Sequence, residues 1–192
     1  ETPHTVVLAF ESSRTEPSNP TNINTPAARI VVTPSEVIHE FTAPLLLLDE
    51  AWPQAADFRQ QLLSGISNGS ELDPAAGLKT RQQIASWLEP GCKLHVNGEV
   101  VSRTEISVEF FRGPADSSSG ASSVLSAGET TPVIGTWVGA RMRFPYPQHV
   151  ESVELLIAES PGKFNELTVD VVTATQRQTQ IVKFNGEATD NA

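Results

Sequence analysis

Residues 94–111, LHVNGEVVSRTEISVEFF, decide the fold class. Asn97 and Gly98 stand between extended residues, which predicts a two-residue β-hairpin because both positions tolerate a positive φ. Every second residue from Ile106 to Phe110 is apolar and the residues between are polar. This period of two is typical of a strand that has one face on a core and the other in water. The stretch therefore predicts antiparallel strands in a half-buried sheet.

Residues 133–144, VIGTWVGARMRF, continue this alternation in a longer strand. Successive side chains of a strand point to opposite sides, so Trp137, Arg141 and Arg143 share one face. The other face is predicted to be the core side and to consist of Ile134, Val138, Ala140, Met142 and Phe144.

Shorter runs of the same kind predict further strands at residues 5–10, 28–33, 36–48, 152–157, 166–175 and 179–184. A helical section is predicted at residues 50–89, where apolar residues recur at helical spacing. Asp73 followed by Pro74 begins its second helix, since Asp caps a helix and Pro is tolerated in the first turn. The predicted inner faces of the two helices are Ala55, Phe58, Leu62 and Ile66, then Leu78, Ile84, Ala85 and Leu88.

This order of elements predicts a mainly β fold, an antiparallel β-sandwich with a short two-helix insertion. The alternative is an α+β fold in which the helices pack on one face of a single antiparallel sheet. Residues 1–192 are interpreted as a single domain with the helical insertion at 50–89. Two stretches without apolar periodicity are predicted to be a polar loop at 11–27 and a mobile loop at 113–131.

The composition restricts the partners and the compartment. The net charge is −10, from 23 acidic and 13 basic residues, and such a surface repels phosphate backbones, so nucleic acid is not expected as a partner. The single cysteine cannot form an internal disulfide, and the longest apolar run, Leu45–Leu48, is too short for a membrane span. Four lysines and loops rich in Ser, Thr and Asn favour an exported bacterial domain, periplasmic or on the cell surface. Because the chain begins at Glu1, it is interpreted either as a processed product or as a trimmed chain, with a signal peptide or an anchor outside it left open.

The chemistry-bearing residues do not form a known catalytic or metal-binding pattern. Cys92 and His95, or His39 and Glu40, are too few to complete the four ligands of a structural zinc site. No Gly-x-Ser-x-Gly motif or phosphate-binding glycine loop occurs, and Cys92 has only Lys93 beside it to lower its pKa. We therefore predict no catalytic residue, no cofactor and no metal ligand.

One surface is a candidate for binding, namely Trp137, Arg141, Arg143 and Tyr146. Trp137 has a glycine on each side along its own face, which would leave both faces of the indole ring open. Aromatic and arginine side chains together are typical of binding hot spots and of carboxylate recognition, so we expect a protein or a small anionic or carbohydrate ligand. In the alternative, the ring is packed and the arginines pair with Glu105 and Glu109.

These patterns favour a non-catalytic binding or interaction module of an exported bacterial protein. One alternative is a hydrolase whose site is assembled by the fold. The other is a structural component of a cell-envelope assembly.

Overall fold

The structure, a computed structural model, describes residues 4–9, 26–64, 71–113, 124–157 and 166–183. Its helices are α1 (Gln54–Leu63) and α2 (Pro74–Gly91), and a 3-10 helix spans Leu45–Leu47. Its strands are β1 (His4–Ala9), β2 (Ala27–Val32), β3 (Glu36–Pro44), β4 (Glu71–Leu72), β5 (Cys92–Val96), β6 (Glu99–Val101), β7 (Glu105–Arg112), β8 (Val124–Leu125), β9 (Thr131–Pro132), β10 (Thr136–Pro145), β11 (Ser152–Ile157), β12 (Glu166–Val172) and β13 (Arg177–Lys183).

The strands form two main sheets. The seven-stranded sheet has the order β13-β12-β2-β3-β10-β7-β8, the four-stranded sheet has the order β1-β11-β5-β6, and β4 pairs with β9. The inner faces of both main sheets contribute to one hydrophobic cluster. The predicted β-sandwich with a short helical insertion is therefore confirmed. One pairing departs from the antiparallel pattern, because β12 runs parallel to β2.

The hairpin predicted at Asn97 and Gly98 joins β5 to β6. Both residues have a positive φ, 52° for Asn97 and 79° for Gly98, as a type I′ turn requires. Val96 and Glu99 are consequently register partners on the two sides of the turn.

The alternation predicted for residues 133–144 is confirmed from Val138 to Phe144. Val138, Ala140, Met142 and Phe144 are buried, whereas the arginines between them are exposed. The prediction for Ile134 is wrong, because its side chain is half exposed and it precedes the strand. Gly135 has a φ of 73° and turns the chain just before β10 begins, which takes residue 134 out of the period.

The core contains side chains from both sheets and, from α2, Ile84 and Leu88. Arg81 of α2 lies 4.1 Å above the centroid of the Phe110 ring in β7, a cation–π contact that joins helix to sheet. The largest fully buried side chains are Trp52, Phe110, Ile30, Leu45, Leu48, Ile84, Leu88, Leu94, Met142, Leu155 and Leu167.

The predicted helical insertion holds two helices separated by the short strand β4. Asp73 caps α2 as predicted, since its Oδ1 accepts a hydrogen bond from the amide of Ala76 at 2.8 Å. Phe58 of α1 stacks on Trp52 with ring centroids 5.4 Å apart. The prediction that Leu78 faces inward is wrong, because its side chain is half exposed. Within the described residues, neither helix has the length and apolar character needed to cross a membrane.

Several predicted segments have different ends in the structure, and three of them differ most. The strand predicted at 36–48 ends at Pro44, and residues 45–47 form the 3-10 helix instead. The polar loop predicted at 11–27 lies outside the described residues up to 25, and β2 already begins at Ala27. Of the loop predicted at 113–131, residues 114–123 lie outside the described part, and the remainder includes β8 and the start of β9.

Asn97 also fastens the loop between β10 and β11 to the hairpin. Its Nδ2 donates to the His149 carbonyl at 2.8 Å and to the Tyr146 hydroxyl at 3.3 Å. Its Oδ1 accepts from the amides of Glu151 at 2.7 Å and Ser152 at 3.0 Å. One amide side chain therefore connects the turn of the small sheet to the end of the large one.

Replacing Asn97→Gly is expected to lower the free energy of unfolding by about 1–3 kcal/mol. Glycine keeps the positive φ of the turn, so the loss reports the hydrogen bonds of the side chain together with the greater entropy of glycine in the unfolded chain. Urea denaturation measures the change. Asn97→Asp, which keeps the acceptor and loses the donor, should lie between wild type and Asn97→Gly. A glycine variant as stable as wild type would contradict the role given to this side chain.

Candidate functional site

The face of the seven-stranded sheet that points away from the hydrophobic cluster, here the outer face, carries a row of polar side chains. Strand register places these residues directly opposite one another across six strands, so they share this face. From β7 to β13 the row, here the charged row, consists of Ser107, Arg141, Glu40, Arg29, Asp170 and Thr179. Its four central members alternate in charge.

Glu40 lies at the centre of the charged row between two arginines. Its carboxylate oxygens are 3.6 Å from Arg141 Nε and 3.9 Å from Arg29 Nη1. Both distances exceed those of a direct hydrogen bond. The two arginine side chains are 54% and 43% exposed, respectively, so each guanidinium keeps donors directed to the outside.

Arg143, the second arginine predicted for binding, is held firmly by the protein itself. Its Nε and Nη2 donate to the two Glu36 carboxylate oxygens at 2.9 and 2.7 Å. The hydrogen bond from Arg143 holds the pKa of Glu36 below its usual value. Glu105, named in the alternative interpretation, lies 3.6 Å from Arg143 Nη1. Arg143 is therefore committed to carboxylates of its own chain, and Arg141 is the less constrained of the two.

The aromatic part of the predicted surface is buried. Trp137 is only 7% exposed, although its strand position places it on the outer face, so the prediction of an open indole ring is wrong. Gly139, on the same face, leaves room for the Phe111 ring and does not expose the indole. A Cβ on Gly139 would lie 2.5 Å from two ring carbons of Phe111. Tyr146 is also buried, and its hydroxyl accepts the hydrogen bond from Asn97. Of the four predicted residues, Arg141 and Arg143 are thus at the surface, whereas Trp137 and Tyr146 are packed.

A depression of about 470 Å³ opens on the outer face beside the charged row. Hydroxyl, carboxylate and guanidinium groups surround it, and the Phe111 ring forms part of its wall. Its lining residues are Ala27, Ala28, Arg29, Glu40, Phe41, Thr42, Ser107, Glu109, Phe111, Gly139, Ala140, Arg141 and Asp170.

Arg29 and Asp170 are members of this site that the sequence did not single out. They come from β2 and β12, which are separated by most of the chain and meet through the parallel pairing. Asp170 accepts hydrogen bonds from Arg177 Nη2 and from the Thr179 hydroxyl, each at 2.5 Å. The alternation of Val169, Asp170 and Val171 was a signal for an outward carboxylate, but no local pattern connects it to Arg29.

The residues considered for metal binding or nucleophilic catalysis lie apart. Burial raises the pKa of the Cys92 thiol to about 12, which disfavours the reactive thiolate. His39 points into the core whereas its neighbour Glu40 belongs to the outer face, and His95 lies 3.6 Å from Glu154. Within the described ranges, no group of three or more His, Cys, Asp or Glu side chains is arranged to hold a metal ion.

Gly139→Ala is expected to destabilise the protein by about 1–3 kcal/mol, because the new methyl group would displace the Phe111 ring. Thermal or urea unfolding measures the loss. Gly128→Ala is the matched control, since a Cβ at Gly128 would meet no atom within 4 Å. Equal effects of the two substitutions would show that Phe111 is not seated on Gly139.

His39 makes the fold sensitive to acid. Neither ring nitrogen has a hydrogen-bond partner among the described residues, and burial lowers the pKa of His39 from 6.5 to about 4. Because the folded-state pKa is below the unfolded one, the associated stability is present above pH 6.5 and is lost as the pH falls toward 4. Between pH 7 and pH 5, the wild-type unfolding free energy should fall by about 2 kcal/mol more than that of His39→Leu. Parallel pH profiles of the two proteins in urea would contradict this assignment.

Comparison with protein families and with curated proteins gives no relative. No protein-family model matches the chain, and no curated protein matches it with statistical significance. The side chains of the outer face are therefore the basis on which its function is inferred.

Proposed function

We propose that this chain is a non-catalytic binding module whose ligand contacts the outer face at Arg29 and Arg141. The observation that carries the proposal is the loose pairing in the charged row. Glu40 is flanked by both arginines at 3.6 and 3.9 Å, next to a depression of about 470 Å³. The bidentate pair of Arg143 with Glu36 on the same face shows the tighter geometry that this sheet can provide.

Loose, half-exposed ion pairs are inexpensive to rearrange. Such pairs contribute about 0–1 kcal/mol to stability, so a ligand can take over the arginine donors at little cost to the fold. A guanidinium group presents paired N–H donors that match the two oxygens of a carboxylate. Arg29 and Arg141 on either side of Glu40 therefore favour a ligand with a carboxylate group.

The neighbouring side chains narrow the ligand class. Thr42 and Ser107 contribute hydroxyl groups to the lining of the depression, and Phe111 contributes apolar surface. The Thr42 hydroxyl donates to the Ala27 carbonyl at 3.4 Å and keeps its acceptor side. Hydroxyl groups both donate and accept hydrogen bonds, as do those of a sugar. Among the expected ligands, a small acidic carbohydrate fits this combination best, and an acidic protein segment is the second choice.

The carboxylates of the depression favour binding over hydrolysis. A general acid needs a carboxyl group kept protonated by apolar surroundings or by a second carboxylate. Asp170 instead accepts hydrogen bonds from Arg177 and Thr179, and Glu40 stands between two arginines. Both carboxylates are therefore already paired with side chains of the chain itself.

We further propose that the module belongs to an exported bacterial protein and works outside the cytoplasm. The support is compositional, namely four lysines and loops rich in Ser, Thr and Asn. An assembly component would need a continuous apolar patch for self-association. The large apolar side chains exposed among the described residues are spread over five elements and the turn before β10, namely Leu63, Leu78, Val100, Val124, Ile134 and Ile181.

The test is titration calorimetry with trigalacturonic acid, an acidic trisaccharide, and with its neutral methyl ester. Wild type should bind the acid more tightly than the ester, and Arg141→Ala should weaken binding of the acid by about tenfold, or about 1.4 kcal/mol. Raising the salt concentration should weaken it as well. Lys93→Ala on β5 of the other sheet removes one exposed positive charge and serves as the control.

Two results would contradict the proposal. One is the absence of heat with the acid at about 10 mM, a concentration that detects even weak ligands. The other is equal weakening by Arg141→Ala and Lys93→Ala, which would indicate an effect of net charge in place of a site.

A further inference from the structure

A cavity separate from the depression on the outer face lies at one end of the sandwich, away from the charged row. It has a volume of about 750 Å³ and is formed by three connections, β2–β3, β10–β11 and β12–β13. Because β12 runs parallel to β2, the turns that follow these two strands emerge at the same end of the sheet. An antiparallel pairing would have placed them at opposite ends.

The two hairpin turns are built in the same way. In the first, the Thr33 hydroxyl accepts from the Glu36 amide at 3.1 Å and donates to the Glu36 carbonyl at 2.9 Å. In the second, the Thr173 hydroxyl accepts from the Gln176 amide at 3.0 Å and donates to the Gln176 carbonyl at 3.4 Å. Each threonine thus closes its own turn with its side chain, which fixes two walls of the cavity.

The third wall is the loop between β10 and β11, and hydrogen bonds hold it at both ends. The Tyr146 amide donates to the Ser35 carbonyl at 2.9 Å, which joins this loop to the first turn. The Asn97 side chain binds its other end through the His149 carbonyl and the amides of Glu151 and Ser152. All three walls are therefore held before any ligand arrives, and such preorganisation reduces the entropic cost of binding.

The lining differs in chemistry from the charged row. It carries one carboxylate, Glu151, and one imidazole, His149, and its other side chains are uncharged. The amides of Gln148 and Gln176 each offer donors and an acceptor. Apolar surface comes from Val32, Pro34, Pro147 and Val150. Neutral amide side chains next to the apolar proline rings match a ligand that has many hydroxyl groups and no charge.

We infer that this cavity is a second binding site, which takes a neutral oligosaccharide. Its volume lies within the range of about 300–1,000 Å³ that is usual for small-molecule sites. The site is independent of the proposed function of the outer face, since none of its lining residues belongs to the charged row or to the first depression.

The experiment is heteronuclear NMR of the whole chain titrated with cellohexaose, maltohexaose and chitohexaose. With at least one of these sugars, the amide signals of residues 33–35, 147–151 and 173–176 should shift together, whereas those of the charged row stay in place. Gln148→Ala combined with Gln176→Ala should weaken that binding by about tenfold. The turn at 173–176 should survive, because its hydrogen bonds use the backbone of Gln176 and not its side chain.

Gln180→Ala is the matched control, an exposed glutamine on the same hairpin outside the cavity. It should bind as wild type does. The inference is overturned if none of the three sugars shifts the loop signals at about 10 mM. It is also overturned if the double variant, shown by its spectrum to be folded, binds as tightly as the control.

Discussion

The position of β10 between β3 and β7 is the constraint on which the rest of the structure depends. Every side chain of this strand is assigned to the core or to the outer face by its pairing with both neighbours. A shift by one residue would bring Arg141 and Arg143 inside and put Met142 in water. The cost of burying two charges makes this register, and with it the charged row, a property of the whole sheet.

The features that could be predicted from the sequence are those encoded by neighbours along the chain. The hairpin at Asn97, the cap at Asp73 and the alternation from Val138 to Phe144 each depend on a few consecutive residues. Features that depend on a distant strand could not be predicted. Trp137 lies opposite Phe111 of β7 and Pro44 of β3, and the cavity at the sandwich end needs the parallel pairing of β12 with β2. The sequence near Trp137 contains Gly139, but it does not indicate that the Phe111 ring packs against this glycine.

Arg141 and Arg143 show why sequence context alone does not separate a structural group from an available one. They are two residues apart on the same face and both follow small or apolar residues. Glu36 lies close enough to bind Arg143 with both oxygens, whereas Glu40 is shared between Arg141 and Arg29. The difference comes from which carboxylate the neighbouring strand brings to each position, and this is fixed only when the sheet has formed.

The order of the strands also has a consequence for how the chain reaches its native state. Among the described strands, β1 has β11 as its single partner, and β2 completes its pairing only with β12. In each case the partner is separated from it by well over half the chain, so closing the sheets requires a large loss of chain entropy before these contacts form. Such non-local topology is associated with slow folding. During synthesis, β1 and β2 must wait for residues 152–172 before both sheets can be completed.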